Sequence, residues 1–256
     1  MPKESFEQFV KRQEKKLDKA EKMVKEVEER WKEKIEEEKL SEKLSEKIEE
    51  VYDEKKQELV RKNVFEDDIY SSIQKEILPK IPKIPPSLLE KILQKLTRRK
   101  KNYFYVRYFT ILLCALINRT IEEYIEFQKK KGKELKEIKP LEVHLNLLDG
   151  EQLFTPGYKN PEKSHVLIRG DVNWCAGARM TGGKVVIEGN TNSQTGQYMT
   201  GGILEIKGEV KSFDKSAFSP NNKGTIIWKG IEIWRNGGWT KEGKEMWERG
   251  EIPVEG

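Results

Sequence analysis

Met-Thr-Gly-Gly occurs at 180–183 and again at 199–202, each time followed by an apolar run and a further glycine. Aligning Gly170–Glu188 with Gly189–Lys207 gives identity at eight of 19 positions: Gly170/Gly189, Asn173/Asn192, Gly177/Gly196, Met180/Met199, Thr181/Thr200, Gly182/Gly201, Gly183/Gly202 and Ile187/Ile206. A spacing held without slippage is an internal repeat. A unit this short cannot contain a strand and a crossover helix. It suits one coil of a parallel β-helix, in which equivalent residues stack about 4.8 Å apart.

The strand register runs past the repeat: Val166, Val185, Leu204 and Ile226 correspond, as do Ile168, Ile187, Ile206 and Trp228, with a three-residue insertion inside "SFDKSAFSPNNKG". Apolar residues two apart, flanked by Lys184, Glu188, Glu205, Lys207 and Lys229, predict strands with one face inward. Gly170, Gly177, Gly182, Gly183, Gly189, Gly196, Gly201, Gly202 and Gly208 are expected at corners where φ is positive, and Asn173 and Asn192 at another. Valine at Gly182 or Gly201 is therefore expected to be costly, and at Gly243, outside the repeat, cheap. Two full repeats need a cover at each end. The amphipathic segments before Pro140 are expected at one end, and Trp228, Trp234, Trp239 and Trp247 at the other.

The stretch "GDVNWCAGARMTGGKVVIEGNTNSQTGQYMTGGILEIKG" resembles the Gly-X-Gly-X-Gly domain, the right-handed β-helix of glutamate synthase large subunits and of the formylmethanofuran dehydrogenase C subunit, which also occurs in solitary archaeal proteins. "TPGYKNPEKSHVLIRGD" looks like the family's lead-in to the first coil, and the resemblance covers roughly residues 141–236. "GNTN" and "GDVN" stand where the family has Gly-Asn-Ala-Gly. The resemblance implies a scaffold, with chemistry performed by other domains or subunits.

All 19 glycines lie at or after Gly132, so a helical half precedes the turn-rich half. The expected divisions are a charged helical arm at 1–62, a helical region at 63–140 with a Pro-rich linker at 79–86, and a β-helix at 141–256 with coils centred on 165–210. In the arm, Val10, Leu17, Val24 and Trp31 recur at seven-residue steps with Ala20 and Val27 alongside, the seam of a coiled coil, with a solvated single helix held by Glu/Lys pairs as the alternative. After Trp31 the apolar pattern resumes one residue out of phase at Leu44, Ile48 and Val51, which predicts a slip of register. Residues 1–62 carry 18 Lys/Arg against 19 Asp/Glu, so the arm has no field to attract nucleic acid. Pro79, Pro82 and Pro85 fit a stiff polyproline spacer. Ser87 with Glu90 reads as a capping box for the next helix, and Thr120 with Glu123 as the cap of a later short one.

Sites for chemistry are few. Cys114 and Cys175 fit neither a disulfide framework nor a zinc pattern, and His144 and His165 lack partner ligands in sequence. Asp171, Asn190 and Glu209 form an outward ladder whose carboxylates stand about 10 Å apart with an amide between them, a poor acid/base pair. Residues 75–101 carry nine Lys/Arg against two acids and lead into "RRKKNYFYVR". Within segment 91–107, Lys95, Arg98, Arg99, Lys100, Lys101 and Arg107 form a candidate basic patch for phosphates, with a solvated helix face as the alternative. The longest apolar run, Tyr108–Ile117, is too short to span a bilayer.

The expectation is an α + β protein: a long helix or coiled coil and a small helical bundle, then a short right-handed parallel β-helix. It is expected to be a cytoplasmic, non-enzymatic scaffold, without cofactor or metal, that binds a protein partner or oligomerises through residues 6–60. The alternatives are an accessory subunit of an oxidoreductase assembly related to the resembled families, and a nucleic-acid-binding protein.

Overall fold

In the computed structural model the chain forms two compact units, residues 1–43 and 44–256. The structure describes residues 6–62, 65–99, 103–147 and 153–255, with side chains placed throughout except at 6–21, 24, 28, 62, 99 and 103–106. Helix α1 (Phe6–Lys62) is continuous over 57 residues, about 85 Å at 1.5 Å per residue. No glycine or proline interrupts it, and pairs such as Lys47–Glu50 (2.9 Å) and Lys55–Glu58 (2.7 Å) brace its surface. Every described side chain from 22 to 40 is exposed. The seam residues Val10, Leu17, Ala20 and Val24 lie outside the described side chains.

The seam expected after Trp31, at Leu44, Ile48 and Val51, is buried. Steps of three and four from Val27 and Trp31 pass through Lys34 and Glu38 to Ser41, Ser45, Ile48, Tyr52 and Leu59, and these last five are all buried. Leu44 and Val51 flank the same seam. Two serines share this buried face. Ser41 Oγ donates to the Glu38 carbonyl at 2.8 Å, which makes its burial tolerable.

In the second unit α2 (Glu66–Ser72) continues through a π-helical turn into a 3-10 turn at Leu78–Lys80, and α3 (Pro86–Arg99) and α4 (Tyr103–Lys130) follow. Proline opens α3, so Ser87 lies inside its first turn and does not cap it. The helix expected to start at Thr120 is the latter part of α4, and the Thr120 hydroxyl donates back to Leu116 O at 2.9 Å. The Pro-rich segment is anchored inside this unit: Ile81 and Ile84 are buried, and the Arg119 guanidinium donates to the carbonyls of Leu78, Ile81 and Pro82 at 2.7, 3.1 and 2.9 Å.

A parallel β-solenoid follows. Strands β1 (Leu141–Asn146), β2 (Ser164–Arg169), β3 (Lys184–Ile187), β4 (Ile203–Ile206) and β6 (Thr225–Trp228) stack in parallel. Val166, Val185, Leu204 and Ile226 are register partners, as the sequence predicts, and so are Ile168, Ile187, Ile206 and Trp228. β1 adds a rung before the repeat, placing Val143 and Leu145 at the head of these columns. Leu153, Val172, Thr191 and Val210 form a second parallel ladder of isolated bridges. Each fully buried aliphatic side chain in these columns contributes about 1.5–3 kcal/mol. Thr191, polar within its column, lies 3.0 Å from the Thr195 hydroxyl.

The far end of the stack closes on itself. β7 (Ile231–Arg235) turns back antiparallel on β6, and β8 (Gly238–Trp239) on β7. α5 (Lys241–Glu248) follows, while β5 (Phe213–Asp214) pairs with β9 (Val254–Glu255). Trp239 stacks between Phe218 (4.4 Å) and Trp247 (5.4 Å). The indole N–H groups of Trp228 and Trp234 donate to Gly208 O and Asn222 O at 3.0 and 3.1 Å. Aromatic rings therefore cover this end, and each indole donor buried in it is satisfied.

Candidate interaction surfaces

Among the described residues no strand lies on the outer side of the first rung, and an open strand edge is a template for pairing with another chain. Helices close it with side chains. On α3 the Glu90 carboxylate accepts the His144 N–H at 3.3 Å. Gln94, one turn on, is oriented by its network so that it donates to Asn146 O (3.2 Å) and accepts from Asn146 N (2.5 Å). Residues four apart on a helix rise about 6 Å, close to the roughly 6.6 Å between residues two apart on a strand, so this pair replaces a neighbouring rung. On α4, Thr110 accepts the Phe154 N–H (3.3 Å), Cys114 donates to Thr155 O (3.5 Å), and Asn118 donates to Tyr158 O and Lys159 O, each at 3.2 Å. The first coil is thus capped by polar residues spaced four apart on α3 and α4.

At the corners, φ is positive at Gly170, Gly177, Gly183, Gly196 and Gly202. Gly182, Gly189, Gly201 and Gly208 do not share that conformation, which corrects the expected reason for their glycines. Close packing between coils explains them: a Cβ on Gly201 would lie 2.5 Å from Thr181 O, and one on Gly208 2.4 Å from Gly189 O. Gly243 is equally confined, with Ile233 O at 2.0 Å from a Cβ, so its expected tolerance is also corrected. Non-glycine residues hold other left-handed corners: Thr155, Cys175 and Gln194 have φ of 51, 57 and 59°, and Lys159, Arg179 and Tyr198 of 52, 53 and 51°. These two series carry the turn geometry into the first coil, where Gly157 is the identity that could have signalled it.

Outward ladders are paired from coil to coil. The Asn190 N–H donates to Asp171 Oδ1 and the Glu209 N–H to Asn190 Oδ1, both at 2.8 Å. Asn192 donates to Asn173 at 3.2 Å. Glu188 lies between Arg169 (3.1 Å) and Lys207 (2.8 Å), and Lys229 meets Glu209 at 2.7 Å. Cys175 is buried with its thiol 3.3 Å from Gln194 Oε1, and burial followed by the charge of Glu66 pushes it up to about 12. It is a protonated thiol at neutral pH. His144 and His165 stand on β1 and β2 beside Glu90 and Glu142 at 3.9 and 3.8 Å. Among the described residues no three His, Cys, Asp or Glu side chains gather as a metal cluster.

α2 is clasped to the solenoid by Asp67. Its carboxylate accepts the Tyr158 hydroxyl at 2.7 Å and meets Lys159 Nζ and Arg179 Nη2 at 2.8 Å each. Partial burial raises its pKa, but the Lys159 and Tyr158 hydrogen bonds and the two positive charges outweigh that and hold it below the usual carboxylate range. Arg179 also lies over the Tyr198 ring at 5.0 Å.

Three of the six residues of the candidate basic patch have described side chains. Arg107 pairs with Glu66, Lys95 is half-buried, and Arg98 is exposed at the end of α3. Arg99, Lys100 and Lys101 fall on side chains or residues outside the description. A groove of about 520 Å³ lies between the Pro-rich segment and α4, lined by Pro85, Pro86, Tyr124 and Phe127. An exposed apolar row runs along α1: Met23, Val27, Trp31 and Ile35 are 58, 50, 65 and 49% exposed.

No family model, curated protein or solved structure matches the chain. Its β-solenoid therefore rests on the register itself. Among the described residues no helix is long and apolar enough to cross a membrane. Sequence reading missed Glu90 and Gln94 as edge caps, the Thr110–Cys114–Asn118 stripe and the Asp67 clasp, because each depends on an element distant in sequence.

Proposed function

We propose that this chain is a cytoplasmic, non-catalytic scaffold in which a β-solenoid of the Gly-X-Gly-X-Gly type is displayed by an oligomerising helical arm. The observation that carries this reading is a contrast of surfaces. Both ends of the solenoid are occupied by the chain's own helices, hairpin and tryptophans, its interior columns are filled by side chains, and its outward ladders are paired. An unpartnered apolar row stands instead on α1, where a coiled-coil seam needs a second helix to bury it.

The repeat resemblance supports a second reading, an accessory subunit of a glutamate-synthase-like or formylmethanofuran-dehydrogenase-like assembly. A nucleic-acid role for segment 91–107 has less support, because Arg107 is engaged by Glu66.

Metal and flavin analysis of the purified chain, beside the variant combining Asp171→Asn, Cys175→Ser and Glu209→Gln, tests the scaffold reading. The outcome expected is no stoichiometric metal or flavin in either, with unchanged fold and association. One metal or flavin per chain, lost in the triple variant, would replace this reading with an active site on the solenoid edge.

A further inference from the structure

We infer that the partner of the α1 apolar row is α1 of a second copy of this chain, aligned parallel and in register; this rests on the reading of the arm as a self-association surface. Where this helix is buried, it buries the seam defined by Ser41, Ser45, Ile48, Tyr52 and Leu59. The same spacing traced toward the amino terminus meets Trp31 and Val27, half or more exposed, and in sequence Val24, Ala20, Leu17 and Val10. Lys34 and Glu38, both exposed, interrupt the seam, so the zipper ends at Trp31.

Charge selects the orientation. The column beside the seam reads glutamate at 14, 21 and 28 and isoleucine at 35, and the opposite column reads phenylalanine at 9, lysine at 16, methionine at 23 and arginine at 30. In a parallel, in-register pair the two columns face each other across the interface, so position 16 of one chain meets position 21 of the other, lysine against glutamate. In an antiparallel pair each column faces its own copy, and the three glutamates confront glutamates. The two chains are close to neutral over 1–62, so no long-range repulsion opposes association. Parallel pairing places both solenoids after the same end of the zipper. A partner with two equivalent sites would then engage two solenoids at once and gain avidity without any new contact.

A cysteine at a seam position tests orientation, because a disulfide needs Cα atoms within about 7 Å. Val27→Cys in the full chain, treated with oxidised glutathione, is expected to shift the denatured, non-reduced mass from one chain to two. Glu29→Cys, on the opposite helix face, is expected to remain a single chain. Native Cys114 and Cys175 are buried and common to both variants. Light scattering without oxidant is the companion measurement. A dimer that fails to cross-link through Val27→Cys would overturn the parallel register while leaving self-association standing. A monomer at micromolar concentration would overturn the second copy as occupant and the self-association reading with it.

Discussion

The Asn190 backbone N–H donates to Asp171 Oδ1 at 2.8 Å, and one coil further the Glu209 N–H repeats the bond with Asn190 Oδ1. Each side chain thus caps the next coil. Asp171→Ala and Asn190→Ala are each expected to cost about 1 kcal/mol, whereas Asp171→Asn, which keeps the acceptor, should melt with the unsubstituted chain. Thermal melts of the three variants check this. Equal losses for Asp171→Ala and Asp171→Asn would show that charge, not the coil cap, matters at this corner.

Two kinds of corner predict two kinds of glycine sensitivity. Gly183→Val meets both a positive φ of 63° and Pro161 O 2.4 Å from its Cβ, while Gly201→Val meets only the close Thr181 carbonyl. Both should cost roughly 3 kcal/mol or more, and Gly201→Ala should still be costly because the clash begins at Cβ. Gly238→Ala, with open space around its Cβ, should be nearly neutral. Denaturant midpoints would give the order, and a tolerated Gly201→Ala would contradict the close approach of coils.

The Asp67 clasp should make stability depend on pH. Its folded pKa is depressed, so its contribution is present above the unfolded carboxylate value of about 4 and is lost as pH falls through the folded value. Asp67→Asn should cost roughly 1 kcal/mol at neutral pH, a figure reduced by solvent screening at this partly exposed site. The difference from the unsubstituted chain should shrink below about pH 4. Paired denaturant titrations at neutral and acid pH measure it, and a constant difference would refute the charged clasp.

Glu90 and Gln94 should protect individual amides of the first rung. Glu90→Ala is expected to speed hydrogen exchange at His144, and Gln94→Ala at Asn146, each leaving Val166 on β2 unchanged. Site-resolved exchange by nuclear magnetic resonance reads both. Unaltered rates at His144 and Asn146 would mean that α3 shields the edge sterically without the two side-chain bonds.

The columns from Val166 to Ile226 were legible because side-chain alternation and a constant spacing report the same register. β1 was hidden because Leu141 pairs with Ser164 across a first coil longer than the repeat that follows it. Ser41 was not legible as a core position, since a serine bonded to its own helix can be buried without adding to the apolar pattern. The exposed apolar row of α1 was legible in Trp31 and Val27. Glu90, Gln94, Thr110 and Asn118 carry no local signal, because their partners are backbone groups of a coil formed far along the chain.

The most direct test of the account is the solution mass of the full chain beside Trp31→Glu, measured by light scattering across a concentration series. The seam needs Trp31 buried against a second helix, and a glutamate there would place a charge in that contact. The account predicts an oligomer for the unsubstituted chain and a monomer for Trp31→Glu, with the same solenoid melting transition in both. An unsubstituted chain that is monomeric throughout, or an oligomer whose mass Trp31→Glu leaves unchanged, would contradict it.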